Sequence, residues 1–244
     1  MVPPAPLRVA RRAVILYTLM MRSTAEANPN HPRAKDWLEI LPQWLDQLDV
    51  HSEVEPRDVE ILTTPLGELD REQQADARWS GEATGVLGWA LQRVAAPADF
   101  DSVDPNQVFR ALGFDPAAMV EGAGDLIAGA SLRPKDELLA YYAKARTVQC
   151  CMRGRGLGVD CGTPSMQQIL RQQLDDLGVR EAAFAAAQEG VARLSNAQYR
   201  QLLGNYVVRV HAAGWVVGER DHYWGADEES ASEECSDGKP GHRR

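Results

Sequence analysis

An all-α fold is predicted for this chain, on three observations. Ala, Leu, Gln, Glu and Arg dominate its middle, and these residues favour helix. Apolar residues recur at three- and four-residue steps, whereas strand formers do not cluster in alternating runs. Helix-start signals stand before several of these segments: Asp70, Asp104-Pro105 and Ser195-Asn196. With 244 residues, of which 44% are apolar, the chain can bury a substantial core. A single globular domain of about eight to ten helices is therefore expected over residues 1–225.

Taken in order, the first helix is expected from Ala5 to Ala27, entered after Pro3-Pro4 and broken by Asn28-Pro29-Asn30. Leu7, Ala10, Val14, Tyr17 and Met21 form its apolar stripe. A second helix follows Pro32, with Trp37, Leu38, Leu41, Trp44, Leu45 and Leu48 on one side and a break or kink near Leu41 imposed by Pro42. A short helix starts near Pro56 with Val59 and Leu62 inward and stops at Pro65. The clearest helix is capped by Asp70 and runs to about Val94, with Trp79, Ala83, Val86, Leu87, Ala90 and Leu91 on its apolar face. Pro97 to Asp104 is a loop. Short helices follow Asp104-Pro105 and Asp115-Pro116, and a longer one runs from Arg133-Pro134 to Met152. The four glycines between Arg153 and Pro164 predict a loop. Helices over Ser165–Leu177, Arg180–Leu194 and Asn196–Val217 complete the globule. From Ala226 the chain is acidic, Ser-rich and nearly free of apolar residues, the composition of a disordered tail.

Charge and cysteine usage exclude several classes. The net charge of −9 argues against nucleic acid as the main partner, because a nucleic-acid binder needs a basic face. No run approaches the roughly 18 apolar residues of a membrane span. Cys150, Cys151, Cys161 and Cys235 are expected to be reduced, since adjacent cysteines rarely pair and a chain of this size needs no disulfide. Location in the cytoplasm follows from that reading. Arg8, Arg11 and Arg12 before the apolar run Ala13–Met21, with Ala25-Glu26-Ala27 after it, also fit a signal peptide. The helical stripe and the closing Arg22 favour a first core helix instead.

Few residues suggest chemistry. The loop Arg153-Gly154-Arg155-Gly156-Leu157-Gly158 follows a helix and not a strand, and it lacks a Gly-Lys-Ser/Thr ending, so it is not a phosphate cradle. The cysteines, even with His211, lack the paired spacing of a zinc site, and no metal or cofactor is expected. Glu82 differs. It stands among Trp79, Val86 and Trp89, where a carboxylate needs a partner. Arg78 on the same helix is the local candidate, and Arg133 or Arg209 can be brought in by the fold. Arg209 and His211 interrupt the apolar segment Tyr206–Trp215, and Arg133 with Glu137 marks a helix start.

Three segments carry a resemblance. Trp79-x-x-Glu82-Ala83 with Val86-Leu87-Gly88-Trp89-Ala90-Leu91, Leu132-Arg133-Pro134 with Glu137, and Arg209-x-His211-Ala212-Ala213-Gly214-Trp215-Val216-Val217-Gly218 are together similar to a bacterial family known as domain of unknown function 4272. The opening Arg11-Arg12-Ala13 helix and Trp44-Leu45 fit as well, so the likeness runs from about residue 8 to 225. The chain departs from the family at Ser80, where Arg is usual, and at Gly214, where Asn or Glu is frequent. The resemblance implies a helical fold and a bacterial origin, and no activity.

Two functional classes remain. One is an interaction protein, a regulatory or immunity-like partner of another protein. The other is an enzyme or small-ligand binder with Glu82, Arg133, Arg209 and His211 around a pocket lined by Trp79, Trp89 and Trp215. Convergence of those side chains on an open cavity favours the second, and their pairing within a closed core favours the first.

Overall fold

The opening helix is apolar on nearly every side, which demands a central position. In the computed structural model, which describes residues 2–156 and 181–224, α1 (Pro6–Ala27) takes that place. Val9, Ala10, Ala13, Val14, Ile15, Leu16 and Leu19 are fully buried, while Leu7, the first residue of the predicted stripe, is exposed. Arg12 and Arg22 are buried as well.

Around α1 pack α2 (Ala34–Gln47), a 3₁₀ turn at His51–Glu53 and α3 (Pro56–Thr63). The break expected in α2 does not occur, and the helix runs through Pro42. Pro42 faces solvent, so the helix bond it cannot donate is lost where water can replace it. In α3 the buried residues are Asp58 and Ile61, and Leu62 packs against the core as expected, but Val59 does not turn inward. Val59 is exposed and Leu62 half-buried. Asp58 must reach the buried Arg12, and this fixes the rotation of the helix.

α4 (Arg71–Ala90) begins as predicted. Asp70 accepts from the Gln73 N–H at 2.8 Å, and the Gln73 side chain returns to the Asp70 N–H at 3.1 Å. It ends at Ala90, short of Val94. α5 (Pro105–Ala111), capped by Asp104, packs on α4, and α6 (Met119–Ala128) packs on α1 and α2.

α7 (Lys135–Gly156) continues through Arg153-Gly154-Arg155-Gly156, where a loop was expected. Arg155 donates to the carbonyls of Val191 (2.7 Å) and Leu194 (2.9 Å) at the end of α8 (Glu181–Arg193). That tertiary contact offsets a glycine cost of about 1 kcal/mol per residue in a helix. α9 (Asn196–Val216) starts with Ser195 accepting from the Gln198 N–H. The helix expected over Ser165–Leu177, the tail from Ala226, Cys161 and Cys235 lie outside the described residues.

These elements stack in layers. α4 lies between α1 and α9, α7 covers the other side of α9, and α8 rests on α7. The described residues therefore form an all-α single domain without a strand. Among them no helix is long and apolar enough to cross a membrane.

Candidate functional site

Helical periodicity turns Glu82 of α4 toward α9, where Asn205 and Arg209, one turn apart, face it together. Glu82 Oε2 accepts from Arg209 Nε at 2.9 Å, and Oε1 accepts from Asn205 Nδ2 at 2.9 Å and from the Val103 N–H at 2.8 Å. The other Arg209 nitrogens donate to the carbonyls of Ala98 (2.9 Å) and Asp101 (2.5 Å). Both charged groups are buried, Arg209 at 1% exposure and Glu82 at 8%. The cluster ties the loop after α4 to α9. Gly85 lets that loop approach, since a Cβ there would stand 2.9 Å from Val103 Cγ2. Arg78, the local candidate, is exposed and makes no bond to Glu82. Asn205 and Val103 escaped the sequence reading, although an Asn one turn before a buried Arg was a signal for the first.

Arg133 occupies a different place. Its backbone N–H donates to the Ala90 carbonyl at 2.9 Å and its Nε to the Trp89 carbonyl at 2.8 Å. Its guanidinium stands 5.3 Å from the Trp89 ring centroid, and Nη1 pairs with Glu137 at 3.1 Å. Arg133 thus satisfies the Ala90 carbonyl and adds a second donor to that of Trp89 at the C-terminus of α4, where a cation also suits the helix dipole. Glu82 is about 10 Å further back along that axis, at about 1.5 Å per residue.

His211 belongs to a third cluster, built around the segment after α9. A carbonyl only accepts, so the His211 Nε2–H donates to the Tyr223 oxygen. Burial, reinforced by the charge of Arg220, pushes the His211 pKa below its usual value. Glu55 accepts the N–H groups of Tyr223 (2.5 Å) and Trp224 (2.7 Å). Asp58 accepts the Trp224 indole N–H at 2.6 Å and is paired twice with Arg12, at 2.6 and 2.9 Å. The Arg12 guanidinium lies 4.3 Å from the Tyr223 ring centroid. Trp215 is a core residue, packed edge-on against Tyr223. A Cβ at Gly214 would stand 2.8 Å from Glu219 Oε2, which the Tyr142 hydroxyl contacts. Ser80 is buried and donates to the Asp76 carbonyl of its own helix.

The predicted polar set therefore does not converge. Glu82 and Arg209 close on each other in the interior, and Arg133 with Glu137 caps α4. Of the predicted residues, His211 and Trp79 line one opening together. This socket, of about 150 Å³, lies between α4, α9 and the segment carrying Tyr223 and Trp224. Ser80, Ala83 and Val208 contribute to its walls. Two large apolar residues that line it stay open to solvent, Trp79 at 38% and Val207 at 39%. Gly204 admits the Trp79 ring, since a Cβ there would stand 3.0 Å from Trp79 Cζ2. Val207, Tyr223 and Trp224 carry no local signal that marks them as neighbours of Trp79. Among the described residues no three His, Cys, Asp or Glu side chains are grouped to hold a metal ion.

No curated protein and no solved structure matches the chain. One family model does, over residues 2–155, so the closing Arg209–Gly218 segment lies beyond the matched part. That match takes in α1 and α4, including Trp79, Glu82 and Trp89, together with Arg133 and Glu137, and on it the chain belongs to the family described as domain of unknown function (DUF4272).

Proposed function

We propose that this chain is an interaction protein of the bacterial cytoplasm, a regulatory or immunity-like partner that receives an apolar side chain of another protein in the socket between α4 and α9. The observation that carries this reading is the pair Trp79 and Val207, large apolar residues left exposed on the same small socket. Exposed aromatic residues beside a pocket are the usual anchors of protein interfaces. Size supports it too. A cavity of about 150 Å³ holds a benzene-sized ring, which matches one phenylalanine or leucine side chain, whereas small-ligand sites span about 300–1,000 Å³. The closed pairing of Glu82 with Arg209 weighs against the alternative of an enzyme or small-ligand binder built on them.

The test is site-specific photo-crosslinking in the native host. A benzophenone side chain replaces Trp79 in the full chain, with exposed Ile40 on α2 as the control position. A discrete adduct from position 79 is expected, with none from position 40, and Val207→Arg should remove it. No adduct, or one indifferent to Val207→Arg, overturns the proposal.

A further inference from the structure

On the other side of Trp79 the surface changes character. A second cavity, of about 350 Å³, opens between the end of α1 and the first half of α4, lined by Ser23, Glu26, Arg71, Gln74, Arg78 and Trp79. Arg71 and Arg78 are both exposed. Neither guanidinium makes a hydrogen bond or ion pair with any described residue, in a chain whose net charge is −9. The acid in this groove is already committed. Glu26 accepts from Arg22 Nη1 at 2.6 Å and from the N–H groups of Gly67 and Leu69 at 2.9 and 3.1 Å, and these donors hold its pKa below the usual carboxylate range despite burial. Arg22 and Glu26 therefore cancel, and the groove is left with the two positive charges of Arg71 and Arg78.

Resting on the interaction reading, we infer that the partner segment seated in the socket carries acidic side chains, which lie along Arg71 and Arg78. Trp79 lines both openings, so socket and groove adjoin at its ring. Arg71 lies about 12 Å from Trp79 along the helix, at about 1.5 Å per residue. An extended chain covers that distance in about four residues at about 3.3 Å each. The acids thus belong within about four positions of the apolar anchor. The groove is open and lined by two exposed guanidinium groups, which suits the rim of a peptide interface. A small molecule held there would stay largely solvated, unlike the largely buried ligands of true small-molecule pockets.

The probes are fluorescein-labelled peptides with one phenylalanine flanked on both sides by glutamates, the same peptide with lysines for glutamates, and the glutamate peptide with alanine for phenylalanine. Fluorescence anisotropy is read with the full chain and with Arg71→Glu/Arg78→Glu, whose folding is checked by its melting temperature. The glutamate–phenylalanine peptide should bind about tenfold or more tightly than its lysine counterpart, lose that advantage in the double variant, and weaken as salt is raised. Equal affinity for the glutamate and lysine peptides, or indifference to the double variant, overturns the inference. So does the absence of binding by any peptide, and so does displacement by inorganic phosphate alone at low concentration, which marks a small-anion site. The interaction reading is judged separately, by the phenylalanine–alanine comparison and the crosslink from position 79. An acid-independent preference for phenylalanine leaves that reading standing while this inference falls.

Discussion

Glu82 and Arg209 are 127 residues apart in the chain and 2.9 Å apart in the fold. Each is also bonded to the loop between α4 and α5, Glu82 at Val103 and Arg209 at Ala98 and Asp101. The pair therefore ties α4, α9 and the loop between α4 and α5 to one another. Arg12 with Asp58, and Arg22 with the carbonyls of Thr64 and Pro65, repeat the device on α1. In each case a buried guanidinium ties a neighbouring segment to the helix that carries it.

Breaking the first pair should be costly. Glu82→Gln leaves the Arg209 guanidinium buried without its counter-charge, and a loss of about 3 kcal/mol or more is expected. Arg209→Met should cost a comparable amount. The double variant Glu82→Gln/Arg209→Met should cost less than the two single changes added together, because no charge is then stranded. Urea titrations of all four proteins check this, and an unchanged midpoint for Glu82→Gln would show that the pair is not structural.

His211 predicts a dependence on acid. Burial holds its folded-state pKa below the unfolded value of about 6.5, so the unfolded chain takes up the proton first. The contribution of His211 is present above about pH 6.5 and is lost as the pH falls toward its lower folded-state pKa. His211→Gln removes the titration, and melting curves between about pH 8 and 5 should be flatter for the variant than for the wild type. Parallel curves would rule out His211 as the source.

Alkali should act through the tyrosines. Burial, then the hydrogen bond to Glu219, raises the Tyr142 pKa to about 12, and burial raises that of Tyr17 to about 12. Both lie above the unfolded value of about 10. Their stabilisation is complete below about pH 10 and is lost as the pH rises through about 12, since the unfolded chain then gives up the proton first. Tyr142→Phe should unfold later on the alkaline side than the wild type, relative to each protein's stability at neutral pH. Absorbance of the tyrosinate, followed with circular dichroism, gives the measurement.

The two faces of α1 should respond very differently to one substitution. Leu16 is fully buried and Leu7 is exposed at 41%. Leu16→Asp places an unpaired carboxylate in the interior and should cost more than about 4 kcal/mol, while Leu7→Asp should stay within about 0.5 kcal/mol. Thermal unfolding of both variants separates them, and a folded Leu16→Asp protein would contradict the central place of α1.

The fold class, α1, the Asp70 start of α4, the Asp104 start of α5 and the Ser195 start of α9 were all legible in the sequence. So was the fact that Glu82, Arg209 and His211 interrupt apolar surface and need partners. These are local properties, set by helical periodicity and by caps within a few residues. Partner choice was not legible. Arg78 lies on the same helix as Glu82, but an exposed pair on a helix contributes only about 0.5 kcal/mol. Burial of the carboxylate against α9 made Arg209 the stronger partner. The rotation of α3, with Asp58 inward and Val59 outward, depended in the same way on Arg12 of another helix. The socket draws Trp79, Val207 and Trp224 from three separate stretches of chain. Periodicity records which face of a helix is apolar. Which faces meet, and which side chains then share a cavity, is decided by long-range packing that no local pattern encodes.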